Sequence, residues 1–86
     1  MVKWVDSNIG GKNPWMEESR ISYGYFSLRV HRDGDYPCDR WVASSPFIFY
    51  NKLLESRDLS EAKTQATAMI QDILEDSIKD ICNRQR

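Results

Sequence analysis

Between His31 and Trp41 the sequence reads HRDGDYPCDRW, and these eleven residues hold the chain's only histidine, one of its two cysteines and three aspartates. Three chemistries draw on such residues. A structural zinc site needs about four Cys, His or carboxylate ligands. His31 and Cys38 are the good ligands here, with Asp33 or Asp39 available for a mixed set, and one His with one Cys falls short. A calcium loop of the EF-hand kind wants oxygen ligands at alternate positions, glycine at the sixth and glutamate at the twelfth. Counted from Asp33, the fifth, sixth and twelfth positions hold Pro37, Cys38 and Ser44, and the match fails. Cys38 as a nucleophile would need a base held beside it. A hairpin could bring His31 close, yet a tight polar loop offers neither a pocket nor oxyanion donors. The stretch therefore reads as a turn, with Asp33-Gly34 as the reversing pair because glycine tolerates positive φ. No metal, cofactor or catalytic residue is expected from it. His31 falls on the polar side of its strand and is expected to meet solvent or a neighbouring carboxylate.

A turn needs strands to join. In ISYGYFSLRVHR, Phe26, Leu28 and Val30 alternate with Tyr25, Ser27, Arg29 and His31, the period of a half-buried strand. RWVASSPFIFY is again aromatic and β-branched; Pro46 lacks a donor N–H and should lie at a bend, a bulge or an edge. FIFYNKLLES continues as a third strand, MVKWV could add a fourth, and GGKNPW between them is loop. The last third has a different period. Ala62, Ala66, Met69, Ile70, Ile73, Leu74, Ile78 and Ile81 recur at three- and four-residue steps, one buried helical stripe. Asp58 can cap the first turn and Glu61 completes a box-like pair, predicting a helix over Leu59–Asn83. The expected architecture is α+β over residues 1–86 as one domain: an antiparallel sheet of three or four strands, then one long C-terminal helix packed on one face. Phe26, Leu28 and Val30 should meet Met69, Ile70 and Ile73.

Two faces of these elements could bind. Tyr23 and Tyr25, with Arg29 beyond them, would form an aromatic and basic sheet face of the kind that stacks nucleic-acid bases. The stretch SYGYFSLRV resembles the aromatic strand motif of RNA-recognition-motif domains. It departs from that motif with Ser22 where glycine is expected and Phe26 at the aliphatic position, and one helix after all the strands departs from that fold's alternation. On the helix, Asp72, Asp76 and Asp80 lie four residues apart in a line with Glu75 beside it. Like charges at that spacing cost a few tenths of a kcal/mol per pair, offset in part by Glu75 with Lys79 and Asp80 with Arg84. Such a carboxylate ladder suits a basic surface. Helix length adds a clue: 25 residues span about 37 Å, whereas a compact chain of this size is roughly 30 Å across. The last turns, with Ile78, Ile81 and Cys82, should overhang the sheet and want a cover, a second copy or a target protein.

Composition narrows the class. Hydrophobic residues make up 41% and charged residues 29% of the 86, as in ordinary folded proteins. Twelve basic against thirteen acidic side chains give a net charge of −1, unlike the basic excess of dedicated nucleic-acid binders. Two cysteines are too few for a disulfide scaffold. No apolar run nears the ~20 residues of a membrane span, and the first residues lack a signal-peptide pattern, so a cytoplasmic protein is expected. The layout is a short chain with a Trp-containing start, an aromatic-rich antiparallel sheet and DLSEAKTQATAMI opening a terminal helix. It resembles the small accessory proteins of bacteriophages and prophages, among them several anti-CRISPR proteins. That resemblance implies a non-enzymatic inhibitor that binds a host nucleic-acid-handling complex, often through an acidic face. The partner-binding residues would be Asp72, Glu75, Asp76 and Asp80, the partner a host protein with a basic surface. A nucleic-acid-binding protein using Tyr23, Tyr25 and Arg29 is the alternative.

Overall fold

The computed structural model describes residues 3–24 and 26–84. Five strands follow one another: β1 (Val5–Ser7), β2 (Glu18–Tyr23), β3 (Phe26–His31), β4 (Val42–Ser45) and β5 (Phe49–Leu53). They form an antiparallel meander in chain order, β1-β2-β3-β4-β5, and one helix, α1 (Leu59–Arg84), closes the sequence. The expected α+β layout is the one found. The strand count exceeds the three or four expected, because ISYGYFSLRVHR, which reads as a single strand, contains a reversal.

The first reversal splits SYGYFSLRV. Tyr23 pairs with Phe26, so the turn is made within the two residues between them, where Gly24 has φ 60°. A second reversal, the bend expected at Pro46, turns RWVASS back into FIFYNKL at Pro46-Phe47, where the Ile48 N–H donates to the Ser45 carbonyl at 3.0 Å. Proline at the second turn position and φ 69° at Phe47 make the geometry of a type II turn, which usually places glycine where Phe47 stands. The connection from His31 to Val42 is a loop, as expected: the Asp33 side chain accepts from Asp35 N at 2.9 Å, and Tyr36 N donates to Asp33 O at 3.0 Å.

Register sorts side chains into two faces. Ser19↔Val30, Ile21↔Leu28 and Val30↔Ala43 lie under α1, while Arg20↔Arg29, Glu18↔His31 and His31↔Val42 lie on the other side. β5 carries one more residue than β4 between the Ala43↔Lys52 and Ser45↔Phe49 pairs, a bulge with Asn51 at φ 50°. The bulge reverses the alternation, so Phe49 turns into the core although Leu53, four residues on, pairs with Val42 on the far face.

The core joins Ile21, Leu28, Val30, Trp41, Ala43, Phe49 and Leu54 to Ala62, Ala66 and Ile70 of α1, with Leu59, Met69 and Leu74 packed around it. Two alanines in the contact stripe let the helix backbone approach the sheet closely. Asp58 caps the helix as expected, its Oδ2 accepting from Glu61 N at 3.1 Å. Glu61 does not reach back to the cap backbone; its Oε2 takes the Ser56 hydroxyl at 2.7 Å, and Ser56 Oγ accepts from Asp58 N. The expected contact face needs two corrections. Ile73 is 39% and Phe26 40% exposed, because the sheet ends before the helical stripe does.

Candidate docking surface

The reactive stretch resolves into two structural knots. Arg32 extends back to the chain before β2, its Nη2 3.0 Å from Glu17 Oε1. Its guanidinium lies 3.5 Å from the Trp41 ring centroid, and Nη1 donates to the Arg40 carbonyl at 3.0 Å. Trp41 in turn donates its indole N–H to Arg57 O at 2.9 Å, tying the start of β4 to the approach of the helix. Glu17 is held below the ordinary glutamate range, chiefly by the Gly10 N–H it accepts and also by Arg32, against the opposing effect of burial.

His31 differs from expectation. It is 8% exposed rather than at the solvent, with Nε2 2.8 Å from Ser44 Oγ and Nδ1 2.8 Å from the Arg32 carbonyl. A carbonyl only accepts, so Nδ1 carries the proton and Nε2 accepts from the serine hydroxyl. Burial pushes the imidazole below its ordinary pKa, and the charge of Arg29 adds to this; the Arg32 carbonyl, Glu18 and Asp33 oppose it. A serine and a histidine at this distance have nucleophile–base geometry. Yet Ser44 is 4% exposed and its Oγ already accepts from Asn51 N at 2.9 Å, so the network holds the β5 bulge against β4. Cys38 is half-buried, Cys82 exposed, and both are free thiols. Among the described residues no group of three or more His, Cys, Asp or Glu side chains is placed to hold a metal ion.

The sheet face opposite α1 holds Arg29 and Arg20 directly across from each other. Glu18 Oε1 lies 3.1 Å from Arg29 Nε and 3.4 Å from Arg20 Nη2, bridging the two cations. Lys3, Arg20 and Ser22 line a shallow cleft of about 520 Å³ with Val5, Ser7 and Glu18. Tyr25 and the Tyr23 side chain lie outside the described residues. The backbone register of Tyr23 pairs it with Phe26, out of phase with the Arg20↔Arg29 pair, since a hairpin intervenes between Tyr23 and Arg29.

The helix is where exposure concentrates. α1 begins beside Trp41, packs Ala62, Ala66 and Ile70 on the sheet, and runs on for 26 residues, about 39 Å. Every residue from Glu75 to Asn83 is exposed. The molecule measures 54 × 29 × 20 Å, and its radius of gyration of 14.4 Å exceeds the ~12 Å of a compact chain of this length. The expected overhang is present. Asp72, Glu75, Asp76 and Asp80 are all exposed, and Ile78 and Ile81 are 60% and 56% exposed. Glu75 and Lys79 form no ion pair, and none is found for Asp72 or Asp76 among the described residues. At 100° per residue, Asp72 and Asp76 fall on the side of the helix opposite Leu74, Ile78 and Ile81, and Glu75 lies at the edge between the two sides. Among the described residues, no helix is long and apolar enough to cross a membrane.

Sequence reading missed the Arg32–Trp41 stack, the Ser44–His31 pair and Phe47, which is 99% exposed at the tip of the β4–β5 turn. Only the Pro46-Phe47 dipeptide gave a local signal. Compared with family models, curated proteins and solved structures, the chain matches none.

Proposed function

We propose that this protein is a small non-enzymatic binding module that docks a basic protein surface on the acidic side of its projecting helix. The observation behind this reading is the position of Asp72, Glu75 and Asp76: exposed, on one side of α1, near or past the sheet's end, and without ion-pair partners among the described residues. Like charges so arranged weaken the isolated helix, and a cationic surface would convert that cost into attraction and faster encounter. Asp80 extends the row by one turn. With the phage-protein resemblance of the overall layout, the reading becomes an inhibitor of a host nucleic-acid-handling complex, occupying a surface that would hold nucleic acid.

The second reading is a nucleic-acid platform on the open sheet face, favoured by Arg20 and Arg29 standing across from each other. Glu18 bridges both guanidiniums, and the net charge of −1 supplies little phosphate attraction.

Asp72→Lys with Asp76→Lys separates the two. Binding of partner captured from host lysate should fall at least tenfold and lose much of its salt dependence, with the unfolding midpoint unchanged. Arg20→Ala with Arg29→Ala should leave partner binding intact. If instead the arginine variant alone loses binding, and single-stranded RNA is held with a steep salt slope, the sheet-face reading replaces the first.

A further inference from the structure

The sheet face opposite α1 carries more cations than carboxylates, and the cleft between β1 and β2 lies among them. We infer that this cleft binds a small organic phosphate monoester.

Register builds the site. Val5↔Arg20 and Ser7↔Glu18 set the paired rows, and the same register continued two residues back brings Lys3 across from Ser22. Rows on one face lie about 7 Å apart along a strand, and neighbouring strands about 5 Å apart. Lys3, Arg20 and Ser22 therefore gather at one end of the cleft, with Ser7 at the other. Val5 is 64% exposed between them and supplies an apolar wall.

Charge selects the ligand. Lys3 forms no ion pair among the described residues. Arg20 gives Glu18 its Nη2, 3.4 Å from each carboxylate oxygen, and Arg29 gives it Nε at 3.1 Å. Among the described residues, Arg20 Nε and Nη1 and both Nη groups of Arg29 donate no hydrogen bond. Glu17, the next carboxylate along the chain, is taken by Arg32. Three cations thus share one carboxylate, and two positive charges are left over. A phosphate monoester carries a charge of about −1.5 to −2 at neutral pH, and its oxygens accept from a guanidinium fork and from hydroxyls. A carboxylate or a phosphate diester brings a single negative charge. The net charge of −1 disfavours a long polyanion, which feels the whole molecule, whereas a small ester feels the charges within about 10 Å.

Size adds the organic group. The cleft of about 520 Å³ falls within the range of small-molecule sites and is far larger than a phosphate alone. With the phosphate at Lys3, Arg20 and Ser22, the ester group lies along Val5 toward Ser7.

NMR titration of isotope-labelled protein at constant ionic strength tests this, with phenyl phosphate as the probe. The expected result is saturable shifts at the amides of Lys3, Val5, Arg20 and Ser22. Exposed ion pairs are individually weak, so the dissociation constant should be about 1 mM. Methyl phenyl phosphate, the singly charged diester, should bind about tenfold more weakly, and inorganic phosphate severalfold more weakly. Lys3→Gln with Arg20→Gln should weaken phenyl phosphate binding at least tenfold. Val5→Glu, which sets a carboxylate in the cleft at an exposed position, should do the same and decides alone if the double variant does not fold. Asp72→Lys with Asp76→Lys, on the helix across the sheet, should leave it unchanged, so this inference and the helix-docking reading fail separately. No saturation by about 20 mM phenyl phosphate, a diester bound as tightly as the monoester, or binding that survives the cleft variants overturns the inference. Inorganic phosphate bound as tightly as phenyl phosphate overturns it too, leaving an adventitious anion site only.

Discussion

Ile70 and Ile73 sit one turn apart on the same helix and belong to the same stripe in sequence, yet replacing each by alanine should give different results. Ile70 is 4% exposed, between Ala66 and the sheet core. Truncating it leaves a cavity in a packed site, at about 2–5 kcal/mol. Ile73 is 39% exposed beside the sheet's end, where water fills the vacated space, and alanine's better helix propensity recovers a few tenths. Its loss should be about 0.5–1 kcal/mol. An 86-residue chain has a total stability of roughly 4–13 kcal/mol, so the first change threatens folding and the second does not. Urea denaturation reads both midpoints with unchanged slopes. Thermal melting should show a drop of at least ~8 °C for Ile70→Ala and of only a few degrees for Ile73→Ala. Equal losses would mean that the helix stays on the sheet past Leu74 and that there is no overhang.

Four further outcomes follow from the geometry. Phe47 has φ 69°, which costs a bulky residue about 1–2 kcal/mol, and its side chain is 99% exposed; Phe47→Gly should therefore raise stability by up to about 1 kcal/mol after glycine's own entropic cost, and a lowered midpoint in urea would refute the strain. Neutral His31 is buried, so between its unfolded pKa near 6.5 and its lower folded value the unfolded chain binds the extra proton. Stability is thus full above about pH 6.5 and falls as the pH drops below it, a decline that His31→Gln should flatten, and equal slopes in the two proteins would contradict the buried neutral imidazole. Arg32→Met strips Glu17 of its cation and Trp41 of its cover, at a cost of about 3 kcal/mol by chemical denaturation, whereas zinc, calcium or a chelator should leave the melting temperature of the native protein where it was.

The sequence by itself determined the helix and its start. Eight apolar residues at helical spacing with no Gly or Pro between them leave no other element, and Asp58 before them closes the first turn whatever lies beyond. It also placed a turn at Asp33-Gly34, which the Asp33 side chain and carbonyl close locally, although Gly34 does not take the positive φ expected of it. The acidic row and the apolar stripe were legible for the same reason: helical period alone aligns the members of each along the helix. What it left open is which side of the sheet a strand residue takes once a reversal or bulge intervenes. Alternation counts positions along an unbroken strand. The turn at Gly24 therefore separated Tyr23 from Arg29, and the extra residue at Asn51 carried Phe49 to the core. His31 keeps the polar-side position its strand gave it, but burial there depends on Ser44, thirteen residues away, and on neighbours that no local pattern encodes. The overhang stands between the two. Its length is written in the helix, but only the sheet's end, set by five strands folding against one another, decides that Ile73 is half in water and Ile70 is not.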